Sequence, residues 1–325
     1  MVNLDFLSIS NNADFENIAF KTFWYQVKNN FVYKKYLELL KIKPESVNSI
    51  SKIPFLPVEF FKSHKVTTFT EKAETVFTSS GSTGKETSKH YVHKLSVYRK
   101  SFIQSFQLFY GAPQEYCFFA LLPLYLEREG SSLVYMVNEL IKLSDCKDSG
   151  FFLNNISGLN QTLKKYYKSS QKVILLGVSF ALLDFADALP QHLSDNFIVM
   201  ETGGMKGRRK EITRTELHKT LCNKLGVTTI HSEYGMTELL SQAYSIGNGI
   251  YYCPPWMKIF IRDIYDPFSL AAKSTGGINV IDLANQYSCS FIETQDLGKF
   301  HNNSSFEVLG RFDNSQMRGC NMFIS

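Results

Sequence analysis

Three strand-like apolar runs, "YCFFALLPLY", "KVILLGVSF" and "FIVMETGG", the last stopping at a glycine pair, constrain the fold of this chain more than any other feature. Between and after them lie helical patterns such as "EITRTELHKTLCNKLG", where Gly226 reads as a helix stop. Strands alternating with helices predict a mostly parallel α/β sheet. Before them, Leu95, Tyr98, Phe102, Phe106 and Phe109 mark one face of a helix. Residues 1 to about 75 also read as helical, with Phe20, Trp24, Val27 and Phe31 at the three-and-four spacing of a core face. In "IPFLPVEFF" two prolines disfavour helix and predict an extended connection packed on the body. Past about residue 250, "MKIFIRDI", "GINVIDL", "SCSFIET" and "FEVLGRF" read as the short strands of a smaller β-rich region. No internal repeat or low-complexity linker divides the 325 residues, so one multi-lobed domain is predicted.

Composition narrows the function. With 44% hydrophobic and 20% charged residues the chain is a globular protein rather than a disordered one. A net charge of +5 is too slight an excess to argue for nucleic acid, and it suits a protein that meets ATP or an acidic carrier protein. The six cysteines, Cys117, Cys146, Cys222, Cys253, Cys289 and Cys320, form no CxxC pair, which predicts neither a zinc site nor a disulfide framework but reduced thiols in a cytosolic protein. The first residues, "MVNLDFLSISNNADF", lack the order of a signal peptide, and no apolar run reaches membrane-spanning length. A cytoplasmic protein without a membrane span is expected.

The chemistry concentrates in a few loops. In "FTSSGSTGKETSKH", residues 77 to 90, small hydroxyl residues and glycines leave backbone N–H groups unshielded, a composition suited to wrapping a phosphate. It is not a Walker A loop, because position 79 is Ser and position 86 is Glu, and no GxGxxG pattern occurs. A strand running into this loop, with Lys85 and Lys89 near it, offers N–H groups, hydroxyls and ammonium charge to a polyphosphate. "HSEYGMTELLSQAYS" places Tyr234, Gly235, Thr237 and Glu238 at the end of another strand: a ring for a base, a hydroxyl for a phosphate and a carboxylate for magnesium. Asp296 in "TQDLG" offers acceptors for two ribose hydroxyls, and Arg311 in "GRFDN" a phosphate or ribose contact.

"TSSGSTGK", the glycine pair of "ETGGMKGR", "YGMTE", "TQDLG" and "GRFDNSQMRGCN" occur in the order found in adenylate-forming enzymes, the acyl-CoA synthetases and luciferases. With "IPFLPVEFFKSHKV", "METGGMKGRRKEI", "SEYGMTELLSQAY" and "INVIDLANQYSCSFIETQDLG", the chain more closely resembles the acyl-protein synthetases of the bacterial luminescence system, the LuxE-like family. "GRFDNSQMRGCNMFIS" is also similar to the hinge of phenylacetate-CoA ligases. The resemblance spans roughly residues 50 to 325 and rests on the order of five motifs rather than on any one. It implies the large N-terminal domain of an adenylate-forming enzyme: a helical region over 1–75, an α/β body over 76–310 with its β-rich part from about 250, and a truncated hinge over 311–325, without the C-terminal lid.

The implied activity is activation of a carboxylic acid, fatty in the family resembled, with ATP and Mg2+ to an acyl-adenylate, followed by transfer to a protein thiol. Thr78, Ser79, Ser80, Gly81, Ser82, Thr83, Gly84 and Lys85 would form the phosphate loop. Gly203 and Gly204 would lie near the adenine with Tyr234 against its ring, Thr237 would meet the α-phosphate, Glu238 would hold magnesium, Asp296 the ribose, and Arg311 ribose or phosphate. The resemblance implies a thiol near the C-terminus as acyl acceptor, Cys320 in "RGCN" with Arg318 close by, and a reductase or acyl carrier protein as the next partner. In place of the lid's lysine, Lys85 and Lys206 are candidates.

Other readings compete. Coenzyme A is an alternative acceptor. "GVSFA", with Ser179 between a strand and a helix-like run, approaches the GxSxG elbow of serine hydrolases and acyltransferases, with His218, His231 and His301 as available bases. A non-catalytic nucleotide-binding protein is a third reading. The basic run Lys206, Arg208, Arg209 and Lys210 reads as a solvated surface or a dock for an acidic carrier, His231, Ser232 and Glu233 as neighbours of the acid, and Tyr125, Glu127 and Arg128 as the border of its pocket.

Overall fold

The computed structural model describes residues 5–79, 87–123, 130–188, 192–205, 208–271, 274–301 and 305–312. Its helices are α1 (Asn12–Asn29), α2 (Phe31–Leu39), α3 (Phe60–Ser63), α4 (Leu95–Tyr110), α5 (Ser132–Leu143), α6 (Ile156–Lys164), α7 (Ser179–Ala188) and α8 (Arg214–Leu225). The strands are β1 (Leu56–Pro57), β2 (Thr75–Thr78), β3 (Lys89–Val92), β4 (Tyr116–Leu121), β5 (Gly150–Phe151), β6 (Lys172–Val178) and β7 (Phe197–Thr202). They continue as β8 (His231–Tyr234), β9 (Ala243–Ser245), β10 (Ile250–Tyr251), β11 (Met257–Arg262), β12 (Thr275–Asp282), β13 (Phe291–Phe300) and β14 (Phe306–Arg311).

The three apolar runs become β4, β6 and β7 of a sheet ordered β5-β4-β6-β7-β8-β9, parallel except for β9. Every residue of β4 and all but the first of β6 are buried, as strands covered on both faces require. Between β7 and β8, α8 begins with a capping box in which Thr213 and Glu216 satisfy each other's backbone N–H groups, and it ends at Gly226, whose φ of 68° is the left-handed conformation glycine tolerates. The late strands form a second sheet, β10-β14-β13-β12-β11, antiparallel throughout, with β1 added parallel to β13. The α/β class with a β-rich subregion is thus the fold.

Two expectations are corrected. The core face of α1 is formed by Phe15, Ala19, Thr22, Phe23 and Gln26, not by the predicted set: Trp24 is 45% and Phe31 80% exposed, and Phe20 and Val27 are only half-buried. A polar anchor turns the face: Gln26 donates to the Gln286 carbonyl and Asn30, which caps α2, to that of Ser288, so the helix axis breaks before Phe31. Second, Cys117 and Cys146 are joined in a disulfide with Cα atoms 5.1 Å apart. The crossover through α5 returns the chain beside the start of β4, a proximity that local cysteine spacing does not reveal. Cys222, Cys253 and Cys289 are free. Among the described residues no helix is long and apolar enough to cross a membrane.

Candidate active site

A cavity of about 450 Å³ opens where the C-terminal ends of β6, β7 and β8 meet β13 and β14, the edge at which α/β sheets leave room for ligands. Thr78, Ser79, Gly203, Thr237, Glu238, Asp296 and Arg311 all line it, so motifs separated by up to 233 residues in the chain share one wall.

The glycine- and hydroxyl-rich loop connects the two strands of a hairpin, β2 and β3. Its base is closed by reciprocal bonds between residues 79 and 88: the Ser79 N–H donates to the Ser88 carbonyl and the Ser88 N–H to Ser79 Oγ. Ser80, Gly81, Ser82, Thr83, Gly84 and Lys85 lie outside the described residues. From β3, His90 Nδ1 donates to the Thr237 carbonyl at 2.8 Å, while Asn285 Nδ2 donates to that of Glu238 at 2.7 Å. The Thr237–Glu238 backbone is therefore pinned from the β2–β3 hairpin on one side and from the β12–β13 connection on the other. Burial raises the Glu238 carboxyl pKa, against the opposing pull of the Ser88 hydroxyl, its own backbone N–H, Arg311 and Lys62.

Asp296 and Arg311 stand directly opposite each other on β13 and β14, with Arg311 Nε donating to Asp296 Oδ1 at 3.2 Å. The Tyr234 hydroxyl donates to Asp296 Oδ2 at 2.8 Å. Tyr234 is not a cavity-lining residue; its ring is buried edge-on against Tyr251 and Phe306, and it holds Asp296 from behind. Gly203 borders the cavity with φ 67°, whereas Gly204 does not line it.

Strand alternation sorts the residues before the YGMTE motif. Of His231, Ser232 and Glu233 only Glu233 lines the cavity. Ser232 faces the other side of the sheet, 3.4 Å from His218, and the His231 ring lies against Tyr110. Glu233 accepts from the Thr202 hydroxyl at 2.5 Å; burial pushes its carboxyl up to about 7 against that hydrogen bond, helped by the charge of Glu201. A Cβ at Gly235 would stand 2.5 Å from Glu233 Oε1, so a larger residue there would displace that carboxyl group. An apolar stretch of the wall includes Leu122, Val134, Met136, Val178 and Phe180.

The structure also corrects or extends other expectations. The Ser179 hydroxyl donates to the Gly203 carbonyl at 3.1 Å and lies 3.4 Å from Glu201 Oε2, and among the described residues no imidazole is bonded to it. Within the basic run, Arg208 lies over the Phe180 ring at 4.8 Å and lines the cavity, and Arg209 is paired with Asp184 and Asp187. Lys62 of α3 and Gln242 also line the cavity; they lie within the stretches "IPFLPVEFFKSHKV" and "SEYGMTELLSQAY", but sequence reasoning singles out neither as a site residue. Lys206, Cys320, Tyr125, Glu127 and Arg128 lie outside the described residues. Among those described, no cluster of three His, Cys, Asp or Glu residues could hold a metal. Magnesium commonly binds through one or two carboxylates plus phosphate oxygens, and Glu238 at the cavity wall fits that mode.

The fold is that of adenylate-forming enzymes. A 2-hydroxyisobutyryl-CoA ligase solved in an open conformation with 2-HIB-AMP and CoA superposes with a TM-score of 0.68 at 10% identity, covering 93% of this chain and 70% of that one. ATP-bound MatB from Rhodopseudomonas palustris gives 0.54 at 15% identity, covering 73% and 47%. O-succinylbenzoate coenzyme A synthetase, MenE, from Bacillus subtilis in complex with AMP gives 0.50 at 16%, covering 74% and 50%. The chain thus spans about half the length of MatB and MenE. No curated protein sequence matches it. The family model of the LuxE acyl-protein synthetases matches residues 9–325, and the chain belongs to that family.

Proposed function

We propose that this cavity activates a carboxylic acid with ATP, forming an acyl-adenylate and pyrophosphate. The observation that carries the reading is the convergence of Thr78 and Ser79, Thr237 and Glu238, and Asp296 and Arg311 on one cavity that also has an apolar stretch of wall, Leu122, Val134, Met136, Val178 and Phe180. A carboxylate oxygen attacks the α-phosphorus, the bond from that phosphorus to the bridging oxygen breaks, and pyrophosphate leaves with the electron pair. Two anions must be brought together for this, so fixed donors and cations supply most of what the protein can contribute. Asp296, held by Tyr234 and Arg311, would accept the ribose hydroxyls. Thr237, with its backbone pinned by His90, would donate to the α-phosphate. Arg311 and Lys62 would offset phosphate charge. Magnesium held by Glu238 would withdraw charge from the phosphate oxygens.

The acyl group would then pass to a protein thiol, with Cys320 as the acceptor and release of AMP. The family membership supports this second step. Acid-dependent exchange of labelled pyrophosphate into ATP tests the first step: exchange is expected with magnesium and a suitable acid and absent without either, and silence across short, long and aromatic acids with ATP still bound would overturn it. Intact mass after turnover tests the second: an acyl adduct on the wild type that is lost in Cys320→Ser is expected, and equal adducts on both proteins would overturn it.

A further inference from the structure

The apolar part of the cavity contains a polar corner. Thr202 and Glu233 are paired in parallel register on neighbouring strands and project from the same face of the sheet. Both line the cavity, and the Thr202 hydroxyl is spent on Glu233 Oε2. Gln242 lines the same cavity, is only 3% exposed, and its Oε1 has no hydrogen-bond partner among the described residues. Thr22, His93, Ser105 and Ser290 also hold buried side-chain atoms without a partner among the described residues, but of all these residues only Gln242 lines the cavity. Native interiors rarely leave such an atom orphaned, and one that stands at a ligand cavity is a vacancy for a donor.

We propose that the acid taken by this protein carries, away from its carboxylate, a hydroxyl or amide N–H that donates to Gln242 and Glu233. The inference rests on the acid-activating reading above. A bare alkyl chain at this corner would leave Gln242 Oε1 unpaired and deepen the burial of Glu233 with no return. A donor satisfies both, and a neutral one suffices, because burial already pushes the Glu233 carboxyl up to about 7 and a full buried charge need not be held. Sites built to hydrogen-bond a substrate group discriminate strongly against analogues that lack it, whereas apolar pockets barely distinguish one methylene.

The test is pyrophosphate exchange and equilibrium binding of straight-chain acids from four to ten carbons, each compared with the same acid carrying one hydroxyl or amide at successive positions. At one position the substituted acid should exceed its parent in kcat/KM at least about tenfold, and Gln242→Leu and Glu233→Gln should each compress that ratio several-fold. The ratio is taken within one preparation, so a variant that folds less well does not distort it. Parent acids equal to or better than every substituted one, with the ratio unmoved in Gln242→Leu, would overturn the inference and leave acid activation standing. Gln242-dependent binding of substituted acids without exchange would support the recognition and overturn activation. Neither binding nor exchange with any acid would overturn both.

Discussion

Glu201 and Glu233 sit on neighbouring strands, both buried in the same sheet, and meet opposite fates. On the α8 face, Glu201 Oε1 receives Arg214 Nε at 3.0 Å with His218 Nε2 at 3.5 Å, and Arg214 is itself held over the Tyr251 ring and bonded to the Val308 carbonyl. Burial works against ionisation there, but His218 and Arg214 prevail and the carboxyl pKa is lowered. On the α4 and α5 face, burial raises the Glu233 carboxyl, with the Thr202 hydroxyl as its hydrogen-bond partner among the described residues and the charge of Glu201 adding to the rise. The compensated carboxylate joins α8 to the sheet and to β14. The uncompensated one faces a cavity. A buried charge with its full set of partners is architecture; one left short of them, at a cavity wall, marks where a ligand completes the set.

The comparison breaks most visibly at Arg214. Arg214→Met would leave buried Glu201 with His218 as its remaining basic partner and cost up to roughly 3–5 kcal/mol of stability. Urea unfolding at neutral pH measures this, and a loss below about 1 kcal/mol would mean that Glu201 is not held by that pair.

Glu233→Gln gives the next largest effect, through pH. The free carboxyl titrates near 4.5 and the folded one near 7. In that interval the folded state keeps a proton that the unfolded chain has released, so stability falls as pH rises from about 4.5 to about 7 and is level above. Across the window the fall is on the order of 3 kcal/mol. Unfolding midpoints at pH 5 and pH 7.5 should lie closer together in the variant than in the wild type. Glu201 acts in the opposite sense: its lowered pKa contributes stability that is present above its ordinary range and lost as acid protonates it.

Asp296 is the intermediate case, partly compensated by Arg311 and Tyr234 yet facing the cavity. Asp296→Asn should weaken ATP binding by roughly ten- to a hundredfold, the weight of a charge-assisted hydrogen bond pair, with less effect on the unfolding midpoint. Calorimetry with ATP separates the two. The smallest effect is expected at Thr202→Val, which removes the one donor to Glu233 and should cost about 1 kcal/mol while raising the Glu233 carboxyl further, seen as a shift of the stability profile towards higher pH.

Those partnerships divide what the sequence discloses from what it does not. The parallel sheet was legible because β4, β6 and β7 are covered on both faces, so all but a few of their residues are apolar. The helix stop at Gly226 was legible because a left-handed residue selects glycine. Asp296 and Arg311 could be nominated by their chemistry, but their pairing follows from the register of β13 and β14, which no local pattern encodes. Helix α1 misled because Gln26 and Asn30, polar residues that a periodicity count assigns to the surface, anchor its buried face. Lys62 and Gln242 lie within quoted motifs, but that their side chains reach the cavity depends on how α3 and the segment before β9 pack against it, which the motifs do not encode. The Cys117–Cys146 disulfide likewise depends on a crossover, not on spacing.

Oxygen-isotope tracing tests the central reading most directly. An acid labelled with 18O in both carboxylate positions is turned over with ATP and magnesium until the acyl group has left the adenylate, and the AMP is analysed by mass spectrometry. Attack of the carboxylate on the α-phosphorus predicts AMP carrying one 18O and unlabelled pyrophosphate. Unlabelled AMP, with the isotope in pyrophosphate or in inorganic phosphate, would contradict the account.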